Sequence, residues 1–88
     1  MKTTFRDIKI DDTIYIIDVE SGELTESKIT FVKPFTNFYG VSERQVHLEN
    51  GDLFQVPAGV IATRQNDKEY YVSENLAKDF LKERYGVL

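Results

Sequence analysis

Arg44-Gln45-Val46-His47-Leu48-Glu49-Asn50-Gly51-Asp52-Leu53-Phe54-Gln55-Val56 decides the fold. Asn50-Gly51 between two strand-like runs is a strong hairpin signal, and a two-residue type I′ loop is the first register to test. That register sets Leu48 against Leu53 but Val46 against Gln55, mixing apolar and polar residues on one face. A three-residue loop, Glu49-Asn50-Gly51 with Gly51 left-handed in a bulge, sets Leu48 against Asp52, Val46 against Phe54 and Arg44 against Val56. Val46, Leu48, Phe54 and Val56 then share one face, and Gln45, His47 and Gln55 the other. A one-residue slip turns an entire apolar set outward, so the bulged loop is the expected one.

Upstream, Thr4 is placed to cap a short helical turn, Phe5-Arg6-Asp7, with Phe5 and Ile8 pointing inward. Asp11-Asp12 reads as a tight turn before the strand Thr13-Ile14-Tyr15-Ile16-Ile17-Asp18-Val19, whose β-branched and aromatic residues favour a pleated surface. Ile14 and Ile16 lie on one side of it and Tyr15 and Ile17 on the other. Both faces are therefore expected to be covered, one by the barrel and the other by the helix. Glu20-Ser21-Gly22-Glu23 is the turn and Leu24 to Val32 the returning strand. A two-residue loop pairs Ile14 with Ile29, whereas a longer one pairs Tyr15 with Ile29. A strand apolar on both sides does not choose between them.

Downstream, Pro57-Ala58-Gly59 stops the strand. Val60-Ile61-Ala62-Thr63 is a short further strand or a turn of 3₁₀, Arg64 to Lys68 a polar loop, and Glu69 to Val72 a last extended piece. Ser73 then opens a helix expected over residues 73–85: Ser73 is a good N-cap, Glu74 suits the positive end, and Val72 and Ala77 occupy the positions of a hydrophobic staple. Leu76, Ala77, Phe80, Leu81 and Tyr85 form one apolar stripe. Lys82 and Arg84 complement the C-terminal end, and Gly86 is a natural terminator, with Val87 placed to pack back on Leu81.

The run Ile10-Asp11-Asp12-Thr13-Ile14-Tyr15-Ile16-Ile17 resembles the opening strand of SH3-like small barrels such as KOW and Tudor modules. The runs from Glu26 to Val32, Gln45 to Gly51 and Phe54 to Ile61 resemble the strands that follow, including the turn of 3₁₀ before the last. The resemblance covers about residues 8 to 63 and rests on strand spacing. It implies a mainly β (α+β) fold: a small SH3-like five-stranded antiparallel barrel over residues 8–72, with one C-terminal amphipathic helix over residues 73–85. The whole chain, 1–88, is expected to form a single domain.

Of the 88 residues 41% are hydrophobic and 12% aromatic, a composition that supports a packed core. There is no cysteine, which excludes disulfides and thiolate chemistry together. The net charge is −4, and the basic residues are scattered, which disfavours duplex nucleic acid and anionic membranes as partners. Met1 to Asp7 has no apolar signal-peptide core. The run Ile14-Tyr15-Ile16-Ile17 falls far short of the roughly 20 residues that span a bilayer. A soluble, cytoplasmic protein is the expectation.

Catalytic chemistry finds little support. His47 is the only histidine and is expected on the polar face of its strand, next to Gln45 and Glu49. Asp18-x-Glu20-x-Gly22 is a faint echo of a calcium loop, lacking the later bidentate glutamate. The five glycines are isolated and suit turns or caps rather than a phosphate loop. No enzymatic activity, metal or cofactor is expected.

The segment Pro34-Phe35-Thr36-Asn37-Phe38-Tyr39-Gly40-Val41 carries three aromatics in a stretch that reads as a surface loop. Phe35, Phe38 and Tyr39 either cap the open end of the barrel or grip a partner. Tyr70 and Tyr71 pose a similar question, with alternation placing one inward and one outward. The leading expectation is a non-catalytic binding protein that engages a protein partner, or itself as a homo-oligomer, through this loop and a sheet edge. The alternative is a small nucleotide-like ligand, stacked on Phe38 or Tyr39 with its phosphate on Arg44 or Arg64. Single-stranded RNA, held by stacking in a positive groove, ranks third because no basic groove is evident.

Overall fold

A computed structural model describes residues 4–85, for Tyr85 the backbone alone. After a 3₁₀ turn at Phe5–Asp7, the strands are β1 (Thr13–Asp18), β2 (Leu24–Thr36), β3 (Ser42–Leu48), β4 (Leu53–Pro57), β5 (Ala62–Gln65) and β6 (Lys68–Tyr71), followed by helix α1 (Glu74–Tyr85). They form one antiparallel sheet in the order β4-β3-β2-β1-β6-β5, curled until its two edges nearly meet. This is the expected mainly β barrel with a C-terminal helix, built from six strands rather than five. Among the described residues no helix is long and apolar enough to cross a membrane.

The additional strand joins the end of the stretch expected as a short strand or 3₁₀ turn, Ala62 and Thr63, to the start of the expected polar loop. Arg64 and Gln65 belong to β5, Lys68 begins β6, and Asn66 and Asp67 turn between them, both at φ 58°. Consecutive left-handed residues make the type I′ turn that suits a two-residue hairpin, and asparagine and aspartate tolerate it because their side chains bond locally.

The first hairpin takes neither expected register: Ile17 pairs with Leu24 and Ile14 with Ser27. The turn begins earlier because the Asp18 carboxylate accepts the amides of Glu20 and Ser21, at 2.9 and 3.0 Å. The Gly22 amide bonds the Asp18 carbonyl at 2.9 Å, with Gly22 at φ 74°. The second hairpin has the expected register. Val46 pairs with Phe54 and Arg44 with Val56, the Leu48 amide donates to the Asp52 carbonyl at 2.8 Å, and Gly51 is left-handed at φ 96°.

Two buried clusters share β1. Ile14 and Ile16 enter the barrel with Phe5, Ile29, Val46, Leu48, Phe54, Val56, Tyr70 and Val72. Ile17 faces the other way and meets Tyr71, Ala77 and Leu81 under the helix. The expected covering of both faces is thus present. Tyr70 and Tyr71 alternate as expected, but the outward ring is buried too, because α1 lies over it. Inside the barrel Phe54 stacks on Tyr70 at 4.3 Å and meets Phe5 edge-on at 5.9 Å. Full burial of side chains of this size stabilises by about 1.5–3 kcal/mol each. Thr4 caps the 3₁₀ turn by accepting the Arg6 amide, and Ser73 caps α1 by accepting the Leu76 amide. Gly86 and Val87, expected to end the helix, lie outside the described residues.

The seam between β4 and β5 is closed by side chains. The Gln65 amide group bonds both the backbone N–H and the carbonyl of Gln55, and Asn66 Nδ2 donates to the Leu53 carbonyl. The next outward-facing position on β4 is Pro57, which has no N–H to satisfy. Side-chain amides therefore take the place of a neighbouring strand on an edge that would otherwise recruit one.

Candidate interaction surface

Strand β2 does not stop at Val32 but runs to Thr36, so the expected loop 34–41 shrinks to a hairpin tip. Its N-terminal half pairs with β1 and its C-terminal half with β3. Phe35 lies within the strand opposite Glu43 and is half-buried. Pro34 is also in the strand, opposite Arg44. The Asn37 amide donates to the Val41 carbonyl at 2.9 Å, so positions two and four residues back also point at β3. Pro34, three back, points to the side where no strand pairs among the described residues, and its missing N–H removes the central donor of that edge. This stretch of β2 edge is thereby blunted.

The tip itself is built by Asn37. Its side-chain oxygen accepts the amides of Tyr39 and Val41 at 2.8 and 3.0 Å, and its Nδ2 donates to Glu43. Gly40 closes the turn at φ 81°, with its amide on the Asn37 carbonyl at 3.0 Å. The backbone is thus held without help from the two residues in between. Phe38 is 96% exposed and Tyr39 86%, their rings edge-to-face at 5.5 Å. They do not cap the barrel, whose interior is filled by other rings. Val41 beside them is also exposed.

A second apolar row, absent from the sequence expectations, crosses the outer face of β2, β3 and β4. Phe31 pairs with His47 and His47 with Leu53. Phe31 and His47 meet edge-to-face at 5.0 Å, and Phe31 and Leu53 are both exposed. The alternation that places His47 outward also places Leu53, whereas Phe31 joins them only because a bulge between Ile29 and Phe31 breaks the alternation that would have turned it inward with Ile29.

The arginines do not join the aromatics. The Arg44 guanidinium donates to Ser42 Oγ at 3.1 Å and to the Glu43 carbonyl at 3.0 Å, and so is engaged locally. Arg64 is on β5, with β4 and β3 lying between it and β2 across the seam. Of Phe35, Phe38, Tyr39, Arg44 and Arg64, only Phe38 and Tyr39 form an exposed pair.

A cleft of about 420 Å³ elsewhere on the molecule is acidic. It lies at the start of α1 and is lined by Asp11, Asp12, Thr13, Tyr15, Val72, Ser73 and Glu74. Burial, then the carboxylates of Glu26 and Glu74, push the Tyr15 hydroxyl above its usual pKa. Such a lining repels a phosphate. Among the described residues no group of three or more histidine, aspartate or glutamate side chains is arranged to hold a metal ion. Comparison with protein-family models, with curated proteins and with solved structures found no match to this chain.

Proposed function

We propose that this chain is a non-catalytic, cytoplasmic interaction protein, an SH3-like small barrel whose β2–β3 tip inserts two rings into an apolar pocket on a protein partner, either another chain or a second copy. One observation carries this reading: Phe38 and Tyr39 are almost wholly exposed on a turn that Asn37 and Gly40 already hold. Exposed rings cost solubility and return nothing to the core, whereas paired aromatics on a rigid turn are typical anchors of protein interfaces. The blunted edge of β2 leaves the tip as the better contact.

The double substitution Phe38→Ser/Tyr39→Ser tests the proposal. Immobilised wild-type protein is expected to retain a specific protein from a lysate of its source, or to self-associate in sedimentation velocity. The double variant, with an unchanged circular dichroism spectrum, is expected to do neither. Equal retention or equal association by the two proteins would overturn the proposal.

A further inference from the structure

The outer face of β5 and β6 carries a second cluster of polar side chains, away from the hairpin tip. Glu69 is buried, with 7% of its surface exposed, and sits directly across from Arg64 on the neighbouring strand. Their charges do not meet. Glu69 accepts instead from the Tyr71 hydroxyl at 3.5 Å and the Arg84 guanidinium at 3.4 Å. Both contacts lie at the weak end of the range, whereas a charge-assisted bond to a carboxylate is ordinarily about 2.7–2.9 Å. Arg84 is also drawn toward Phe80, its guanidinium carbon 4.3 Å from the ring centre. The Glu69 carboxylate therefore keeps acceptor capacity for a closer donor. Arg64 makes neither an ion pair nor a hydrogen bond through its side chain among the described residues.

A cleft of about 160 Å³ lies between these groups, lined by Ala62, Thr63, Arg64, Glu69 and Tyr71. Small and open to solvent, it suits a molecule of a few heavy atoms. A lone anion attracted by Arg64 would face the Glu69 carboxylate. A lone cation bound to Glu69 would leave Arg64 idle. A molecule that carries an ammonium and a carboxylate on one carbon atom satisfies both walls.

We propose that this cleft binds a small free α-amino acid as its zwitterion, the ammonium donating to Glu69 and the carboxylate accepting from the Arg64 guanidinium. Binding displaces water and forms no covalent bond. Nitrogen-edited NMR of the full chain tests this with three probes: glycine, glycinamide (cation only) and acetate (anion only), each titrated to about 50 mM, which brackets the millimolar affinity of so small a ligand. Glycine is expected to shift the amides of Arg64, Glu69 and Tyr71 saturably, with each singly charged probe weaker by at least about tenfold. Arg64→Gln, at an exposed position, should abolish the advantage of glycine over glycinamide, and Glu69→Gln its advantage over acetate. Should Glu69→Gln fail to fold, Arg64→Gln carries the test. The proposal is overturned by the absence of saturable shifts at these amides, by equal affinity for the three probes, or by glycine binding that Arg64→Gln leaves intact.

Discussion

Both long hairpins turn over three residues that end in a left-handed glycine, Gly40 between β2 and β3 and Gly51 between β3 and β4. In both, an asparagine side chain accepts backbone amides of the turn: Asn37 those of Tyr39 and Val41, Asn50 that of Asp52. The geometry is shared, but the chemistry differs. The β3–β4 tip is tied to the body, with the Asn50 amide on Ser27 Oγ at 3.1 Å and the Asp52 carboxylate receiving Lys68 Nζ at 2.8 Å and the Tyr70 hydroxyl at 3.0 Å. At the β2–β3 tip the equivalent freedom is spent on two exposed rings. Since the same turn is made elsewhere with Glu49-Asn50, the rings of Phe38 and Tyr39 are not a requirement of the backbone. They are the surplus that a functional reading has to explain.

The largest contrast is expected between rings. Phe54, just past the polar tip, is buried against Tyr70 and Phe5, so Phe54→Ala should cost about 3–5 kcal/mol, read as a fall in the urea midpoint. A loss within about 0.5 kcal/mol would mean that the core is not packed as described.

Asp52→Ala should cost about 1–3 kcal/mol, because it leaves the Tyr70 hydroxyl and the Lys68 ammonium without their shared acceptor. It should also change the pH profile. Burial acts to raise the Asp52 carboxyl, but the hydrogen bonds from Lys68 and Tyr70 outweigh it and hold it below its ordinary value. Its contribution is therefore present above the ordinary carboxyl range and lost as pH falls through the lowered value. The hydrogen bond to Asp52 raises Lys68, and burial raises Tyr70. Their contributions are complete below their ordinary values, about 10, and lost as pH rises through the raised ones. Wild-type urea midpoints should be flat between about pH 5 and pH 9 and fall on either side. In Asp52→Ala both falls should be shallower, and a profile identical to wild type would contradict the network.

The glycines probe what the two tips share. A Cβ at Gly40 or Gly51 meets nothing within 4 Å, so Ala at either costs only the left-handed backbone, about 1–2 kcal/mol. Thermal or urea melts should show similar losses at both. A loss at Gly51 alone would mean that the aromatic tip does not hold the same turn.

The β3–β4 hairpin was legible in the sequence because Val46, Leu48, Phe54 and Val56 align in a single register and Gly51 falls where a left-handed residue is needed. The first hairpin was not, because β1 is apolar on both faces and its turn is set by the Asp18 side chain, which periodicity does not register. Hairpin β5–β6 was missed because its turn residues, Asn66 and Asp67, adopt positive φ without a glycine to announce it. At the candidate site the aromatic excess was visible, but its division was not. Pro34 reads as a strand stop, yet its place on the unpaired side of β2 lets the strand run on and half-bury Phe35. The positions of Arg44 and Arg64 relative to the rings depend on strand order, which no local pattern encodes.

Equilibrium urea unfolding of the Phe38→Ala/Tyr39→Ala double variant puts the central claim most directly at risk. Rings that serve a partner rather than the fold should leave stability within about 0.5 kcal/mol of wild type for each substitution. A loss of about 3 kcal/mol or more, the cost of emptying a packed aromatic site, would show that these rings hold the molecule together and would remove the basis for the interaction surface.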